Sequence, residues 1–501
     1  MKSTEAKPKK NLRLWPSLIL VSFIVIIGIL IQVYYKSNSL NPDDLIANLP
    51  KDKVNIVILL IDALRADRLG VYGYSKPTSP NIDALAAESV IFEQCNAPAP
   101  WTLPSVVSMF TSTFPCEHGV VVDGQKIQET FDPLAVRLKK AGYRTCAFSI
   151  SAYAGSMSGL DRGYDNYYKG RGDGTVLEQW LENVPSKPFY VYIHNGEPHN
   201  PYAAPKKLVQ LFGSEASEFQ SMFHKLSFKY RSLTREDYAA GRPLGTTDNT
   251  IMQQQIMKSL NKMKDQIDIM YDAAVREADE RAGSIIETLK RRGLWDKTLF
   301  ILTADHGEEL GDHGGWQHDQ SVYEELIHIP LIVHFPKGQY SGTRVNDVVS
   351  LVDLVPTIFG YFGGTDLVTN FSGTNLMPFI KGVSSRNPKD FVITAMRINR
   401  KKYYRPYKEK RGDTNIVVRQ NSWKGIWNDE IGTIELYNLA EDHSEKVDIS
   451  KDQIRLAGKM RDYARTWFSA HQEGKIEMGT GGLKEIDEDS LKILRSLGYV
   501  E

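Results

Sequence analysis

Three side chains that bind metal ions well stand shortly after apolar runs of the sequence. Asp62 follows the run at residues 54–61, and Asp305 and His306 follow the run at residues 298–303. Carboxylate oxygens together with an imidazole nitrogen suit a divalent cation such as Ca²⁺, Mg²⁺, Mn²⁺ or Zn²⁺. We therefore predict one metal site from these residues. A carboxylate that only caps the next helix is the alternative for Asp62.

A threonine precedes an apolar run that is compatible with a helix. Thr102 is followed by Pro104 and then by the run at residues 106–110. Its hydroxyl is therefore expected at a helix N-terminus, where unpaired backbone N–H groups and the helix dipole stabilise an alkoxide or a bound oxyanion. Coordination to a metal would make this hydroxyl a nucleophile. Simple capping of the helix is the alternative.

A further imidazole follows the apolar run at residues 189–194, where Glu197 and His199 occur. In open α/β sheets, ligand sites form beyond the carboxyl ends of the strands. His199 is therefore expected at the same edge as the metal site. A second cation would bind if Glu197, His199 and His318 converge, although their spacing does not require it.

The segments that must position these side chains alternate between strands and helices. Strand-length apolar runs occupy residues 54–61, 143–150, 189–194, 298–303 and 330–335. Such continuous runs are typical of strands buried on both faces of a parallel sheet. The clearest helix covers residues 267–292 and is followed by Gly293. The alternation predicts the α/β class with a doubly wound central sheet.

Two regions differ in character from this alternating pattern. Residues 205–264 are polar and contain no strand-like run, which predicts a mostly helical insertion into the domain at residues 54–387. Residues 388–501 contain short alternating runs such as NIVVRQ and TIELYNL. Alternation of this kind predicts a small antiparallel sheet, and hence a C-terminal subdomain.

The N-terminal region predicts a membrane anchor. Residues 14–35 carry no charged side chain, and about 20 apolar residues suffice for a helix to cross a bilayer. The basic residues in 1–13 would hold that flank in the cytoplasm. Residues 36–53 then form a polar stalk, and the rest of this single-pass protein lies outside the cytoplasm. A cleaved signal peptide is the alternative, although its apolar core is usually shorter and is followed by small residues.

The composition excludes several classes of protein. Hydrophobic residues make up 42% of the 501 residues, and 61 basic residues balance 61 acidic ones. A nucleic-acid partner is not expected, because such a protein usually carries a basic surplus. Three cysteines are too few for a disulfide scaffold or a thiolate zinc site.

Several ordered segments of the chain resemble the sulfatase branch of the alkaline-phosphatase superfamily. They include NIVILLIDALRADRLG, APWTLPSVVSMF, EPHNPY and TLFILTADHGEELGDHGGWQH. The resemblance covers about residues 55–501. It implies an alkaline-phosphatase-like fold and a metal-dependent hydrolase of a sulfate or phosphate ester. The implied substrate is an anionic ester carried by a glycan, a lipid or a small molecule.

The resemblance also implies a role for each matching residue. The cation ligands would be Asp62, Asp305 and His306. The catalytic residues would be Thr102 in the nucleophile position, His199 facing the leaving group, and His318 near the oxyanion.

The chain departs from the family pattern in four places. Family sulfatases have a Cys or Ser that is oxidised to formylglycine where this chain has Thr102. Val106 stands in place of an arginine, and Ala63 in place of a second metal-binding aspartate. Residues 149–153 contain no cation where the family has Lys or His. A formylglycine mechanism and sulfate ester cleavage are therefore disfavoured.

Three functions remain open from the sequence. The first is hydrolysis of phosphate, phosphonate or related esters. The second is transfer of a phospho-headgroup to a lipid or glycan hydroxyl. The only observation that supports it is the predicted membrane anchor, which would place the domain beside lipid. The third is a site that has lost catalysis and binds a glycan or a protein, which the missing charged groups would explain.

Other charged and imidazole side chains are expected to have structural roles. Arg65 and Asp67 should form an ion pair or a cap. His118 and His313 should form hydrogen bonds around the site rather than bind the metal. His194 ends an apolar strand and should be a core histidine with satisfied hydrogen bonds.

Overall fold

The computed structural model describes residues 54–183, 188–213, 219–223, 225–226, 228–229, 248–364, 371–386, 390–398 and 414–472. The predicted membrane span at residues 14–35, with its flank and stalk, lies outside these residues. Within the described part of the chain, no helix is both long and apolar enough to cross a bilayer.

The strands are short and mostly buried, and they fall into a large sheet, a small sheet and a two-stranded hairpin. In chain order they are β1 (Asn55–Ile61), β2 (Val90–Asn96), β3 (Arg144–Ser149), β4 (Asn166–Lys169), β5 (Phe189–Asn195), β6 (Thr298–Thr303), β7 (Glu309–Leu310), β8 (Trp316–Gln317), β9 (His328–His334), β10 (Arg344–Ser350), β11 (Val392–Ile398), β12 (Thr414–Gln420), β13 (Trp423–Asn428) and β14 (Ile434–Asn438). Across the described residues, the central sheet has eight strands in the order β10-β2-β9-β6-β1-β5-β3-β4.

β1 lies in the middle of the central sheet and is parallel to both of its neighbours. Leu60 is paired with His194 of β5 on one side and with Thr303 of β6 on the other. All seven residues of β1 are buried, as expected for a strand covered on both faces. The carboxyl ends of β1, β5 and β6 therefore meet at one edge.

The prediction of a doubly wound sheet needs one correction, because β9 is antiparallel to β6 and to β2. The run predicted at residues 330–335 is a strand. However, the connection at residues 304–327 begins and ends at the same edge of the sheet, so the chain returns in the opposite direction. The central sheet is therefore mixed.

Two strands near one side of the sheet were not predicted. β2 contains Glu93 and Gln94, and β10 contains exposed Arg344 and Asn346. Polar side chains interrupt the apolar runs in both strands, because this side of the sheet is less completely covered than its centre.

The helices pack on the central sheet and on the small sheet. They are α1 (Pro80–Ala87), α2 (Thr102–Thr111), α3 (Pro115–His118), α4 (Leu134–Lys140), α5 (Gly174–Leu181), α6 (Lys206–Phe212), α7 (Asp248–Lys262), α8 (Lys264–Arg291), α9 (Glu324–Ile327), α10 (Leu354–Tyr361), α11 (Met377–Ile380) and α12 (Ile454–Gln472). α8 is the helix predicted at residues 267–292. α6 and α7 fall in the insertion predicted to be helical.

The C-terminal part forms the predicted small antiparallel sheet, in the order β11-β12-β13-β14. α12 packs on it and closes a second apolar core that includes Met396, Trp427 and Met460. The fully buried Lys424 forms ion pairs with Glu324 at 2.9 Å and with Glu445 at 2.8 Å. Because Glu324 begins α9, the small sheet is tied to the segment that precedes β9.

Candidate active site

The predicted metal ligands lie together at the carboxyl edge of the central sheet. Asp62 directly follows β1, and its N–H donates to the carbonyl of Asn195 at the end of β5. Asp305 and His306 follow β6 after a single alanine. All three ligand side chains are at most 1% exposed. The parallel pairing of β1 with β5 and β6 therefore explains how residues so distant in sequence meet.

The distances within this group are short. His306 Nε2 lies 3.4 Å from Asp62 Oδ1 and 3.6 Å from Asp305 Oδ2. The same nitrogen lies 3.2 Å from Thr102 Oγ1. The structure thus brings together the four residues that the sequence assigned to the metal and the nucleophile.

The donor set fits a divalent cation. His306 Nδ1 lies 2.7 Å from the carbonyl oxygen of Gly307, so Nδ1 carries the proton and Nε2 presents a lone pair. Asp62 Oδ1 and Asp305 Oδ2 accept no hydrogen bond within the described residues. Burial and the charge of Asp305 raise the pKa of Asp62 well above its usual range. A cation would remove this cost, because buried charges need a partner.

His194 contacts the same carboxylate from the neighbouring strand. Its Nδ1 lies 2.8 Å from Tyr192 Oη, and its Nε2 lies 3.2 Å from Asp62 Oδ2. Burial lowers the pKa of His194 to about 4, so the imidazole is neutral. If Tyr192 donates to Nδ1, then Nε2–H donates to Asp62. Ligand atoms of Asp62, His194 and Asp305 lie within 4.8 Å of one another, but this hydrogen-bond pattern favours a positioning role for His194.

Thr102 is the first residue of α2 and is fully buried. The residue before the helix is Trp101, and no side-chain hydrogen bond caps this end. Thr102 is therefore the first helical residue of α2 and not its N-cap residue. One turn further along, Ser105 Oγ donates to the carbonyl of Asp305 at 2.5 Å. This hydrogen bond fixes the helix N-terminus against the segment that carries Asp305 and His306.

The two other predicted catalytic imidazoles lie beside His306. The ring of His318 lies 4.4 Å from that of His306 and 4.9 Å from that of His199. His318 Nδ1 lies 3.2 Å from Glu308 Oε1, and both side chains are buried. The Glu197 carboxylate forms an ion pair with Arg171 at 2.6 Å, and a second cation bound by Glu197, His199 and His318 stays a prediction.

The turn after β1 is held by Arg65, which forms the structural ion pairs expected for it. Its guanidinium lies 2.7 Å from Asp67 and 2.8 Å from Asp312. Although burial acts in the opposite direction, Arg65 lowers the pKa of Asp67 to about 2. Ala63 has a positive φ of 59° and donates its N–H to Asp305 Oδ1 at 3.3 Å. The turn thus positions Asp305 through the backbone.

The remaining imidazoles have structural contacts. His118 Nε2 lies 3.0 Å from Ser108 Oγ, and burial lowers the pKa of His118 to about 3. His313 Nδ1 lies 2.6 Å from Glu325 Oε1. Both residues thus form the hydrogen bonds predicted for them.

The sequence reading missed how three polar residues support the site. His194 and Asn195 end β5, and their position opposite the end of β1 indicates contact with Asp62. Glu308 lies two residues after His306, and its N–H donates to the carbonyl of Glu325. Its contact with His318 depends on how the loop folds back, so the sequence carried no signal for it.

Comparison with known proteins agrees with this architecture. The family described as Sulfatase matches residues 54–364, and the family described as N-sulphoglucosamine sulphohydrolase, C-terminal, matches residues 311–461. An N-acetylglucosamine-6-O-sulfatase of Bacteroides thetaiotaomicron is 25% identical over 471 residues, which cover 79% of this chain and 82% of that protein. An arylsulfatase of Clostridium perfringens is 22% identical over 512 residues, which cover 88% and 100%.

A solved structure shows the same fold. The phosphonate monoester hydrolase of Agrobacterium radiobacter superposes with a TM-score of 0.63 at 19% identity, over 83% of this chain and 96% of that one. The alkaline-phosphatase-like α/β fold is therefore confirmed, with a mixed central sheet and a small antiparallel C-terminal sheet.

Proposed function

Because this chain belongs to the sulfatase family of ester hydrolases, we propose that it cleaves phosphate-type esters with Thr102 as the nucleophile. The observation that carries this proposal is the 3.2 Å distance from Thr102 Oγ1 to His306 Nε2. That nitrogen also faces the carboxylate of Asp62. The hydroxyl is thus the reactive oxygen beside the group of atoms that fits a cation.

A divalent cation held by Asp62, Asp305 and His306 would lower the pKa of a neighbouring hydroxyl and neutralise charge on the ester oxygens. The protein's own contribution is positional. α2 places the Thr102 hydroxyl at its N-terminus, where the helix dipole favours negative charge. The surrounding side chains are buried, so few water molecules compete with the hydroxyl.

The proposed reaction has two in-line steps. In the first, Thr102 Oγ1 loses its proton to solvent and bonds to phosphorus as the bond to the leaving oxygen breaks, and protonated His199 gives its proton to that oxygen. In the second, water attacks the phosphothreonine and the Oγ1–phosphorus bond breaks. The water proton passes to His199, and Thr102 recovers its own proton from solvent. The net reaction consumes one water and releases an alcohol and phosphate.

The residue at position 102 argues against a formylglycine mechanism. An aldehyde hydrate has a second hydroxyl that can expel the bound group, whereas threonine has a methyl group there. Release must then occur by attack of water on the central atom of the ester. The proposed intermediate is therefore a covalent phosphothreonine at position 102, which an experiment can detect.

The charge of the site favours phosphate over sulfate. The two carboxylates of Asp62 and Asp305 would just balance the charge of a divalent cation. A second aspartate at Ala63 would add a further negative charge, and an arginine at Val106 would offset it, but neither is present. Among ester groups, a phosphate monoester dianion is attracted more strongly by such a cation than a sulfate monoanion is.

We further propose that the enzyme acts outside the cytoplasm, tethered by residues 14–35. The lack of charge in that span and the basic flank before it support this location. In the same setting, a lipid or glycan hydroxyl could replace water in the second step. The product then distinguishes a transferase from a hydrolase.

The proposal is tested with the full-length chain and p-nitrophenyl phosphate, in the presence of Ca²⁺, Mg²⁺, Mn²⁺ or Zn²⁺. Thr102→Val should lower kcat by about 1,000-fold, because a nucleophile has no substitute in the site. Thr111→Val is the matched control, since Thr111 lies at the far end of α2 and bonds only nearby groups there. It should retain kcat.

Acid quenching during turnover, followed by peptide mass spectrometry, should locate one phosphoryl group on Thr102. Wild-type rates in Thr102→Val would reject the proposal. Faster cleavage of p-nitrophenyl sulfate than of the phosphate would reject the substrate assignment.

A further inference from the structure

Arg171 lies on a short loop that is fixed against the carboxyl edge of the sheet. The N–H of Gly172 donates to Asn195 Oδ1 at 2.9 Å, and Asn195 Nδ2 donates back to the Gly172 carbonyl at 2.8 Å. On the other side, the N–H of Gly170 donates to the carbonyl of Ser149 at the end of β3. The backbone of Arg171 is therefore held between the ends of β3 and β5.

This loop is connected directly to the metal-binding edge. The carbonyl of Asn195 accepts a hydrogen bond from the N–H of Asp62. A side chain at Gly172 would meet Ile193 at 2.4 Å, so only glycine lets the loop approach so closely. The position of Arg171 beside this edge is thus specified by the packing of its neighbour.

The guanidinium of Arg171 is oriented by a buried carboxylate. Its Nη2 lies 2.6 Å from Glu197 Oε1, and the Glu197 side chain is only 6% exposed. Glu197 Oε2 accepts no hydrogen bond within the described residues, and Arg281 Nε lies 3.8 Å from it. Arg281 is itself bonded to Glu277 at 2.8 Å. Glu197 therefore acts mainly on Arg171.

The remainder of the Arg171 side chain faces solvent at the same edge. It is 51% exposed, whereas the metal-binding side chains are almost completely buried. A guanidinium has five N–H donors in a planar fork, and the ion pair with Glu197 leaves a solvent-facing part of that fork. Such a fork binds an oxyanion through two parallel hydrogen bonds.

Glu197 also links this arginine to the reaction site along the chain. His199, the proposed proton donor to the leaving group, follows Glu197 after one proline. An anion on Arg171 would therefore belong to the leaving-group side of the substrate. Residues 149–153, where β3 ends, include no Lys, Arg or His. Arg171 therefore supplies positive charge near that strand end.

We propose that Arg171 binds a second anionic group, such as a carboxylate, on the leaving-group part of the substrate. This inference rests on the proposed function, because the first anionic group is the ester at Thr102. Arg171 would then select esters that carry two separate negative charges over esters that carry one.

The test uses binding, so that it does not depend on turnover. The full-length chain with Mn²⁺ is titrated calorimetrically with phenylphosphonate and with its ortho, meta and para carboxylate derivatives. These ligands contain a carbon–phosphorus bond in place of the ester bond, so they bind without being hydrolysed. At least one derivative should bind about 10-fold more tightly than phenylphosphonate, as expected for a charged hydrogen bond. Arg171→Met should abolish that preference.

Two controls separate substrate binding from a purely structural ion pair. Arg144→Met removes a part-exposed arginine at the opposite end of β3, where it faces Asp165, and should keep the preference. In Arg171→Met, the Glu197 carboxylate loses its ion-pair partner. The double variant Arg171→Met/Glu197→Gln also removes that negative charge. It should still lack the preference if Arg171 binds the ligand, and recover it if Arg171 only neutralises Glu197.

The inference is overturned if the wild type shows no preference for any carboxylate derivative, or if Arg171→Met keeps it. Failure of the proposed function is a separate result, namely no turnover of p-nitrophenyl phosphate by the wild type.

Discussion

His194 Nε2 lies 3.2 Å from Asp62 Oδ2, and this hydrogen bond joins two neighbouring strands at the edge where Asp305 and His306 also lie. The Tyr192 hydroxyl on the same strand sets the tautomer of His194 from its other side. The orientation of the Asp62 carboxylate thus depends on a chain of three buried side chains.

Removing the Tyr192 hydroxyl should weaken metal binding. In Tyr192→Phe, His194 loses the partner that keeps its proton on Nε2, and Asp62 loses a fixed donor. Loss of a partner that orients a ligand usually costs about 10- to 100-fold in metal affinity. Competition with a fluorescent chelator measures the effect. Tyr190→Phe is the matched control, because Tyr190 is buried on β5 and contacts Tyr164 instead; an equal loss there would contradict the prediction.

Glu308→Gln should reduce kcat with little change in KM. The Glu308 carboxylate holds the ring of His318 beside His306, and a neutral amide holds it less firmly. We expect a decrease of about 10-fold, the size of one charged hydrogen bond. Steady-state kinetics on p-nitrophenyl phosphate provide the measurement. Glu309→Gln should leave kcat unchanged, because Glu309 bonds the loop backbone at His313 and Gly315.

Acidification should destabilise the protein through His118. Its pKa is about 3 in the folded protein and about 6.5 when unfolded. The unfolded chain therefore binds the proton first, and stability is lost as pH falls below about 6.5 toward about 3. Between about pH 7 and pH 5 this amounts to about 2 kcal/mol.

Urea unfolding at the two pH values measures this loss. His118→Gln should be less sensitive to pH than the wild type by about that amount. The exposed His443 offers a control, since His443→Gln should keep the wild-type difference. A His118 variant with undiminished pH dependence would disprove the assignment.

Lys424→Met should strongly destabilise the protein. Lys424 is fully buried between Glu324 and Glu445, so its removal takes away the nearest cationic partner of two buried carboxylates. Such a loss costs about 3–5 kcal/mol, measurable by urea unfolding. The surface pair of Lys140 with Asp132 provides the comparison, because Lys140→Met should cost less than about 1 kcal/mol. Similar values for the two variants would refute the prediction.

The sequence predicted the centre of the fold better than its sides. β1, β5 and β6 are continuous apolar runs, because they are covered on both faces, and the helix ending near Gly293 is strongly amphipathic. β2 and β10 contain polar residues that match no simple pattern. The direction of β9 was not predictable from composition, because its run looks the same whether the strand is parallel or antiparallel.

The sequence predicted that the candidate ligands lie together, but not which side chains support them. Asp62, Asp305 and His306 stand at strand ends, and strand ends of a parallel sheet meet at one edge. The contacts of Glu308 and of Arg171 depend on how two loops fold over that edge. The conformations of these loops depend on many weak backbone contacts, and no sequence pattern predicts such contacts. The roles of Thr102, His199 and His318 in catalysis stay predictions.

The reversal of β9 gives the segment at residues 304–327 a property that a crossover connection lacks. Both of its ends lie on the same edge of the sheet, so the segment forms an arch there, and it carries Asp305, His306 and His318. The stretch between Glu308 and His318 can be lengthened or shortened without rethreading any strand of the central sheet, whereas Asp305, His306 and His318 must keep their places. A change of length in this stretch would therefore leave the strand order of the central sheet intact.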